Sequence, residues 1–527
     1  MASVSDEGGL IKVSFGPDDW YKGLIPTHGV SDSGYREGDG LSWSLAVNPW
    51  RELGYLAPGF QNDDVTNMGD ITNNATIKNI TVAAGDAYAI EDATLLHQLD
   101  ELTGEVTNTG SWPHTITPHG HLAATGSDVI TYSIGGIEYV FYSWNDDTDG
   151  DVGRLTPSGP TFDDDYMSTV PTGAAVLNKD YPHPMIVGAG DILYIANGAE
   201  IVAYDGPNDT AATLAFKVPD GFIITSFARS ANFLVVFCST KTTYDASPGQ
   251  SQAFFWDYAS EDATYKYDLN CAYVNGGFSF KGSVGVFGQR QSFSSNRSLL
   301  MMFDGGSFET VASTRERIPG HGGVGIMDEM IIWNAGDFGG LGTSRVYSYG
   351  KIAKGFDNAL NQIGTGGGNE AEGVLFPTGS SFNTGILAST GGSSGELNRF
   401  YQSFQTSALA YSGLKNIDFG RYGQGKVVDV KVVYRDTVTD GQAFTLKLNT
   451  DSQGTTTNTR GTFTTLVNGD TSLDTLIKHY ETDSSGAEFP QFSNSIGFTC
   501  SWSGSNDTET HMIRNIDIYI EPVSTSS

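Results

Sequence analysis

The stretch Asp191–Gly206, DILYIANGAEIVAYDG, reads as a tight hairpin. Asp191–Ile195 and Ile201–Tyr204 are short apolar runs, and Asn197-Gly198 between them is a turn pair that tolerates positive φ. The same theme recurs along the chain: a small or polar residue, an apolar and aromatic run, a turn, and often a second run ending near Tyr, Phe or Asp-Gly. It is found as AGDAYAI from Ala84, IGGIEYVFYSW from Ile134, AGDILYIANGAEIVAYDG from Ala189, SANFLVVFCS from Ser230, KGSVGVFGQR from Lys281 and IMDEMIIWNAG from Ile326. A worn version is PTGSSFNTGILAS from Pro377. The copies stand roughly 40–55 residues apart, the length of one four-stranded propeller blade.

These copies predict an all-β chain with a six- or seven-bladed β-propeller over residues 71–424. The Gly-rich stretches 364–368 (GTGGG) and 390–395 (TGGSSG) interrupt the last blade as loops. Residues 1–70 are punctuated by Gly and Pro and predict an extended N-terminal arm, with GLSWSLAVNPW from Gly40 as its one strand-like run. Beyond residue 424 the pattern changes to period-two alternation. KVVDVKVVY from Lys426, AFTLKLNT from Ala443, SIGFTCSWS from Ser495 and MIRNIDIYIEP from Met512 predict a C-terminal β-sandwich over 425–527. SLDTLIKHY from Ser472 is the best helix candidate in a chain with few.

Composition narrows the function classes. Asp plus Glu number 61 against 29 Lys plus Arg, a net charge of −32, so phosphate backbones should be repelled and nucleic-acid binding is not expected. Cys238, Cys271 and Cys500 are far apart in sequence and predict buried free thiols instead of a disulfide framework. The opening MASVSDEGG lacks a charged and an apolar signal region, and no run approaches a membrane span. Synthesis in a cytoplasm without secretory export is therefore the expectation.

Few motifs suggest chemistry. In NDDTDGD, Asn145, Asp147 and Asp149 with Gly150 match the first half of a calcium loop, in which alternate oxygens converge on one hard cation. Position twelve is Thr156 instead of Glu and the flanks read as strands, so a solvated acidic loop is the competing reading. His114, His119 and His121 in PHTITPHGH have metal-ligand spacing, or are structural histidines of a connector. FDDDY at Phe162–Tyr166 offers carboxylates for glycosidase chemistry, whose separation a sequence does not give. Trp20, Trp43 and Trp50 suit either a sugar platform or the anchoring of an arm. No nucleophile elbow, phosphate-binding loop or HExxH stands in the chain, so no catalytic residue is assigned and no cofactor beyond calcium is expected.

The layout resembles virion structural proteins of tailed bacteriophages that carry a propeller followed by a C-terminal β-sandwich. The resemblance rests on GLSWSLAVNPWRELGYLAPGF from Gly40, on the degenerate blade series with SWPHTI from Ser111, and on GKVVDVKVVYRDTVTDGQAFTLKLNTD from Gly425 followed by HMIRNIDIYIEPV from His511. It implies a non-enzymatic structural component of the virion, in the tail nozzle, hub or tip, made in the host cytoplasm. Its partners would be copies of itself, other virion proteins and a host receptor or glycan, with roles in tail structure, DNA passage or host attachment. The alternative is a carbohydrate-binding or glycoside-cleaving β-propeller.

Overall fold

The computed structural model describes residues 4–7, 9–24, 41–45, 47, 54–58, 60–64, 77–91, 94–100, 111–117, 125–241, 248–290, 297–314, 316–327, 330–336, 345–351, 357–365, 375–377, 386–389, 397–404, 407–412, 414–419, 422–454, 460–504 and 509–524. Nearly all regular structure in them is β. The helices are the four-residue turns Pro17–Trp20 and Tyr166–Thr169 and the 3-10 turn Ala189–Asp191. No helix among the described residues is long and apolar enough to cross a membrane.

Seven antiparallel sheets of four strands give a propeller-like fold. The first comprises Ile77–Ala83, Asp86–Glu91, Leu95–Asp100 and His114–Thr115, and the second Thr125–Ile134, Ile137–Asn145, Gly150–Thr156 and Thr161–Asp163. The third comprises Met185–Val187, Ile192–Asn197, Glu200–Asp205 and Thr210–Lys217, and the fourth Ile223–Ser230, Phe233–Ser239, Ser251–Trp256 and Tyr265–Asp268. The fifth comprises Tyr273–Phe280, Ser283–Arg290, Arg297–Phe303 and Phe308–Thr314, and the sixth Val324–Met327, Met330–Ala335, Arg345–Lys351 and Asn358–Thr365. The seventh joins Leu375–Pro377, Ile386–Ser389 and Leu397–Phe404 to Phe60–Asp64, a strand that precedes the first sheet in sequence. The first strand of each sheet neighbours the first strand of the next, and Leu375–Pro377 neighbours Ile77–Ala83, so these strands form a closed ring.

The apolar runs of the repeat follow from burial on two faces. In Ile192–Asn197, Leu193 and Ile195 pack with Phe141, Val152 and Tyr166 of the second sheet's side, while Tyr194 and Ala196 pack with Phe227, Leu234 and Val236 of the fourth. Phe233–Ser239 repeats the arrangement, with Leu234, Val236 and Cys238 on one side and Val235 and Phe237 on the other. A strand buried on both faces loses the polar half of its alternation, which is why these strands stand out in the sequence. The hairpin loop is Gly198-Ala199, one residue later than the expected Asn197-Gly198, because Asn197 pairs with Glu200. Only Gly198 has positive φ there, +66°.

The chain divides into two compact units, Asp63–Val346 with Gly366–Phe400, and Met1–Asn62 with Tyr347–Thr365 and Tyr401–Ser527. This grouping differs from the three consecutive segments read from the sequence. The expected arm is built into the second of these units: Leu10–Phe15 pairs with Ile513–Ser524, and Leu41–Leu45 with Ser407–Ser412. Six-stranded sheets form on each side, with the Phe15 ring edge-on to Phe498 at 5.1 Å. Trp20 is fully buried, edge-on to Phe498 at 5.6 Å, which is anchoring and not a sugar platform. Trp50 and the Trp43 side chain lie outside the described residues. The helix expected at Ser472–Tyr480 is instead the bridge residue Leu473 and the strand Ile477–Tyr480, which pairs with Val430–Val433. Leu476 and Ile477 stay about half exposed, so no helical face is buried there.

The buried Lys415 ammonium lies 3.0 Å from the Asp19 carboxylate and 4.3 Å from the centre of the Phe15 ring. Asp19 in turn accepts the Gly16 N–H at 3.0 Å. Removing one partner of such a pair leaves a buried charge uncompensated. Lys415→Ala should therefore cost about 3–5 kcal/mol, read as a lower denaturation midpoint, and Lys415→Ala/Asp19→Ala should recover part of it. An additive double variant would mean that the pair is not coupled.

Candidate functional site

At the N-terminal ends of the first strands lies a cavity of about 290 Å3. The first, second, fourth and fifth sheets contribute Lys78, Ser127, Thr225 and Asn275 to its wall. Asn145, the connector Lys179–Pro182, Pro184, Tyr273 and His321 complete the polar and ring-bearing lining. The lining combines hydroxyl, amide, ammonium and carboxylate groups with the rings of Tyr181 and Tyr273. The Tyr181 ring lies over Gly198, where a Cβ would come within 2.8 Å of it. Asn275 donates to the Tyr273 hydroxyl at 3.1 Å.

A network behind the cavity fixes its shape. The Asp128 carboxylate accepts from the Asn79 amide at 2.6 Å, from its neighbour Val129 N–H at 2.8 Å and from Met185 N–H at 2.6 Å. His321 Nε2 stands 3.4 Å from Asp128, and its Nδ1 is 3.0 Å from the Ser226 hydroxyl. Ser226 accepts the Gly277 N–H at 2.7 Å. Burial raises the Asp128 carboxyl above its usual range, against the opposing pull of His321 and the three hydrogen-bond donors.

The second polar support is His183. Its Nδ1 faces the Ala196 carbonyl at 2.8 Å, its Nε2 faces the Asn145 amide oxygen at 2.8 Å, and its backbone N–H donates to Ser127 at 2.8 Å. The Ala196 carbonyl can only accept, so Nδ1 donates its proton to it. Burial pushes the His183 pKa down to about 4.

The residues singled out in the sequence are placed as follows. Asn145 ends a strand and lines the cavity, with its amide oxygen engaged by His183 and its NH2 donating to the Tyr181 carbonyl at 2.9 Å. Asp147 and Asp149 sit on the hairpin turn, which is organised by Asp146: its carboxylate accepts the N–H groups of Thr148 and Asp149 at 2.5 and 2.7 Å. Gly150–Thr156, the second half of the expected calcium loop, is a strand, so its oxygens do not wrap around a cation at this turn. The Asp147 carbonyl accepts from the Lys179 ammonium. Gly150 serves the site differently, since a Cβ there would lie 2.4 Å from the Asn145 amide oxygen and 2.6 Å from His183 Nε2. Among the described residues no group of three or more His, Cys, Asp or Glu is placed to hold a metal.

His119 and His121 lie outside the described residues. His114 stacks on Phe162 at 3.7 Å and pairs with Asp164 at 2.8 Å, a structural role. Burial works to raise the Asp164 carboxyl, but hydrogen bonds from His114 and Tyr142 outweigh it and hold the group below its usual value. None of Asp163, Asp164 or Asp165 lines the cavity. The three cysteines are free and buried, as expected, and burial pushes the thiols of Cys238 and Cys271 up to about 12.

The sequence reading missed Lys78, Thr225, Asn275 and His321. The repeat marked the turn and second strand of each sheet, whereas these residues stand before the turn, at or just before the start of the first strand. Counting back from each turn would have reached them.

No known family description matches the sequence, and no curated relative matches it. Solved structures do align with it. An exo-beta-1,3-galactanase from Phanerochaete chrysosporium, crystallised with beta-1,3-galactotriose, is 9% identical over 87% of this chain and 99% of its own, with a TM-score of 0.33. The structure of YjhT is 11% identical over 56% of this chain and 99% of its own, at a TM-score of 0.37. The computationally designed protein Ika8 aligns over 72% of this chain and 100% of its own, at 11% identity and a TM-score of 0.37. The expected reading, a non-enzymatic structural component of a bacteriophage virion, is corrected by these findings: the galactanase structures among them stand with the carbohydrate-binding or glycoside-cleaving alternative. At these TM-scores the functional argument is carried by the cavity itself.

His183 gives the site a pH signature. Its folded pKa lies below the ordinary 6.5, so the unfolded chain binds a proton there that the folded chain refuses between pH 6.5 and about 4. Its contribution is complete above pH 6.5 and is lost as pH falls toward 4. On the order of 3 kcal/mol should disappear over that window. Denaturant unfolding at pH 7.5, 6 and 4.5 measures it, and His183→Gln should flatten part of the profile. An unchanged profile in the variant would assign the acid sensitivity elsewhere, with His511, whose pKa burial also lowers to about 4, as the next group to replace.

Proposed function

We propose that this chain is a carbohydrate-binding or carbohydrate-cleaving protein built on a seven-bladed β-propeller and a β-sandwich, with its saccharide site in the cavity at the ring of first strands. The blade count is supported by the seven four-stranded sheets and by the neighbouring of Leu375–Pro377 with Ile77–Ala83. The sandwich is supported by the two six-stranded sheets and the Phe15–Phe498 contact.

The observation that carries the function is the chemistry of the lining. Sugars present hydroxyls in several directions and apolar C–H faces. Ser127, Thr125, Asn145, Thr225 and Asn275 offer donors and acceptors from different elements, and the Tyr181 ring offers a face. At about 290 Å3 the cavity stands near the lower end of the range for small-molecule sites, the size of a short saccharide end. Cleavage needs two carboxyl groups flanking the glycosidic bond. Asp180 is the carboxylate in the described lining, and the fully buried Asp128 carboxyl, raised by burial, lies behind it.

A glycan array followed by calorimetric titration of the hits tests binding, and a reducing-sugar assay on the bound glycans tests cleavage. Binding is expected, and Tyr181→Ala should weaken it by about tenfold through loss of the ring face. A blank array together with a blank reducing-sugar assay would refute the proposal.

A further inference from the structure

We infer that the saccharide taken by this cavity is anionic, with its acidic group held by Lys179 and Lys78; the inference rests on the saccharide reading above. Acidic residues outnumber Lys plus Arg by 61 to 29 in the chain, so a binding surface drawn from it at random would be acidic. The lining departs from this balance: the ammonium groups of Lys78 and Lys179 stand there with the single carboxylate of Asp180, while the His321 imidazole faces Asp128 behind it.

Lys179 differs from the lysines of the chain that are paired with acids. Lys12, Lys217, Lys415, Lys426 and Lys478 each have a carboxylate within ion-pair distance. The Lys179 ammonium instead rests on the backbone carbonyl of Asp147, a neutral acceptor. That contact aims the ammonium and leaves its charge uncompensated by a contacting acid. Lys78 brings a second ammonium from the first sheet. An ammonium with three donors takes a carboxylate or sulfate oxygen through charge-assisted hydrogen bonds, which are about twice as strong as neutral ones. The neutral hydroxyl and amide groups of Ser127, Thr225 and Asn275 remain for the ring hydroxyls.

The shared chemistry is an anionic oxygen group on a sugar, supplied either by a hexuronate carboxylate or by a sulfate ester. Calorimetric titration with matched disaccharides separates the two sources: one ending in glucose, one in glucuronate and one in glucose 6-sulfate. At least one anionic disaccharide should bind about tenfold more tightly than the neutral one. Lys179→Gln should abolish that preference, Lys179→Arg should keep it, and Tyr181→Ala should weaken all three sugars alike. Equal binding of neutral and anionic sugars would overturn the inference while the saccharide reading stands. A preference that survives both Lys179→Gln and Lys78→Gln would overturn the assignment of the two lysines. If neither these sugars nor any array glycan binds, the saccharide reading falls and the inference falls with it.

Discussion

The buried carboxylate of Asp128 is the interaction on which the ring of first strands depends. Asp128 belongs to the second sheet and holds Asn79 of the first and the Met185 N–H of the third. Through His321, which stands just before the sixth sheet, and Ser226 of the fourth, the same network reaches the Gly277 N–H of the fifth. One carboxylate and its partners thus touch five of the seven sheets, and the segment leading into the sixth, at the end where the cavity opens. A buried charge without such partners would be costly. With them, it is satisfied in one arrangement of the strands around it.

Hydrophobic burial does the remaining work between neighbouring sheets. The second strands of the third and fourth sheets are apolar on both faces because each face meets a different sheet, as Leu193 and Tyr194 show on successive residues. A sheet with two apolar faces cannot stand alone in water, so closing the ring covers faces that a linear stack would leave exposed. The cavity is the consequence of this geometry. Strands converge at the ring, their polar N-terminal residues meet there, and the connectors between sheets, such as Lys179–Pro184, form its rim.

Much of the fold was legible because its strongest signals are local. The continuous apolar second strands, several of them preceded by Gly, stand in the sequence as seven copies, and each maps to the second strand of one sheet. The spacing behind the calcium reading is also local. Asn145, Asp147 and Asp149 have the spacing of a metal loop, but a strand ends at Asn145 and another begins at Gly150, leaving a four-residue turn that Asp146 organises. The N-terminal strands were read as an arm because Leu10–Phe15 has no pairing partner nearby beyond Val4–Glu7; its other neighbour is Ile513–Ser524, at the far end of the chain.

By itself, the sequence determined the class and the rhythm of this protein: all-β, built from short hairpins repeated at near-regular spacing, acidic, with three thiols that form no framework. Those properties follow from residue type and local period, which the chain carries in order. The tertiary structure alone decided that Lys78, Ser127, Lys179, Thr225, Asn275 and His321 share one cavity. They are separated by up to a few sheets of chain and share no motif. They meet because the first strands close into a ring, and ring closure is a long-range event that no local pattern encodes.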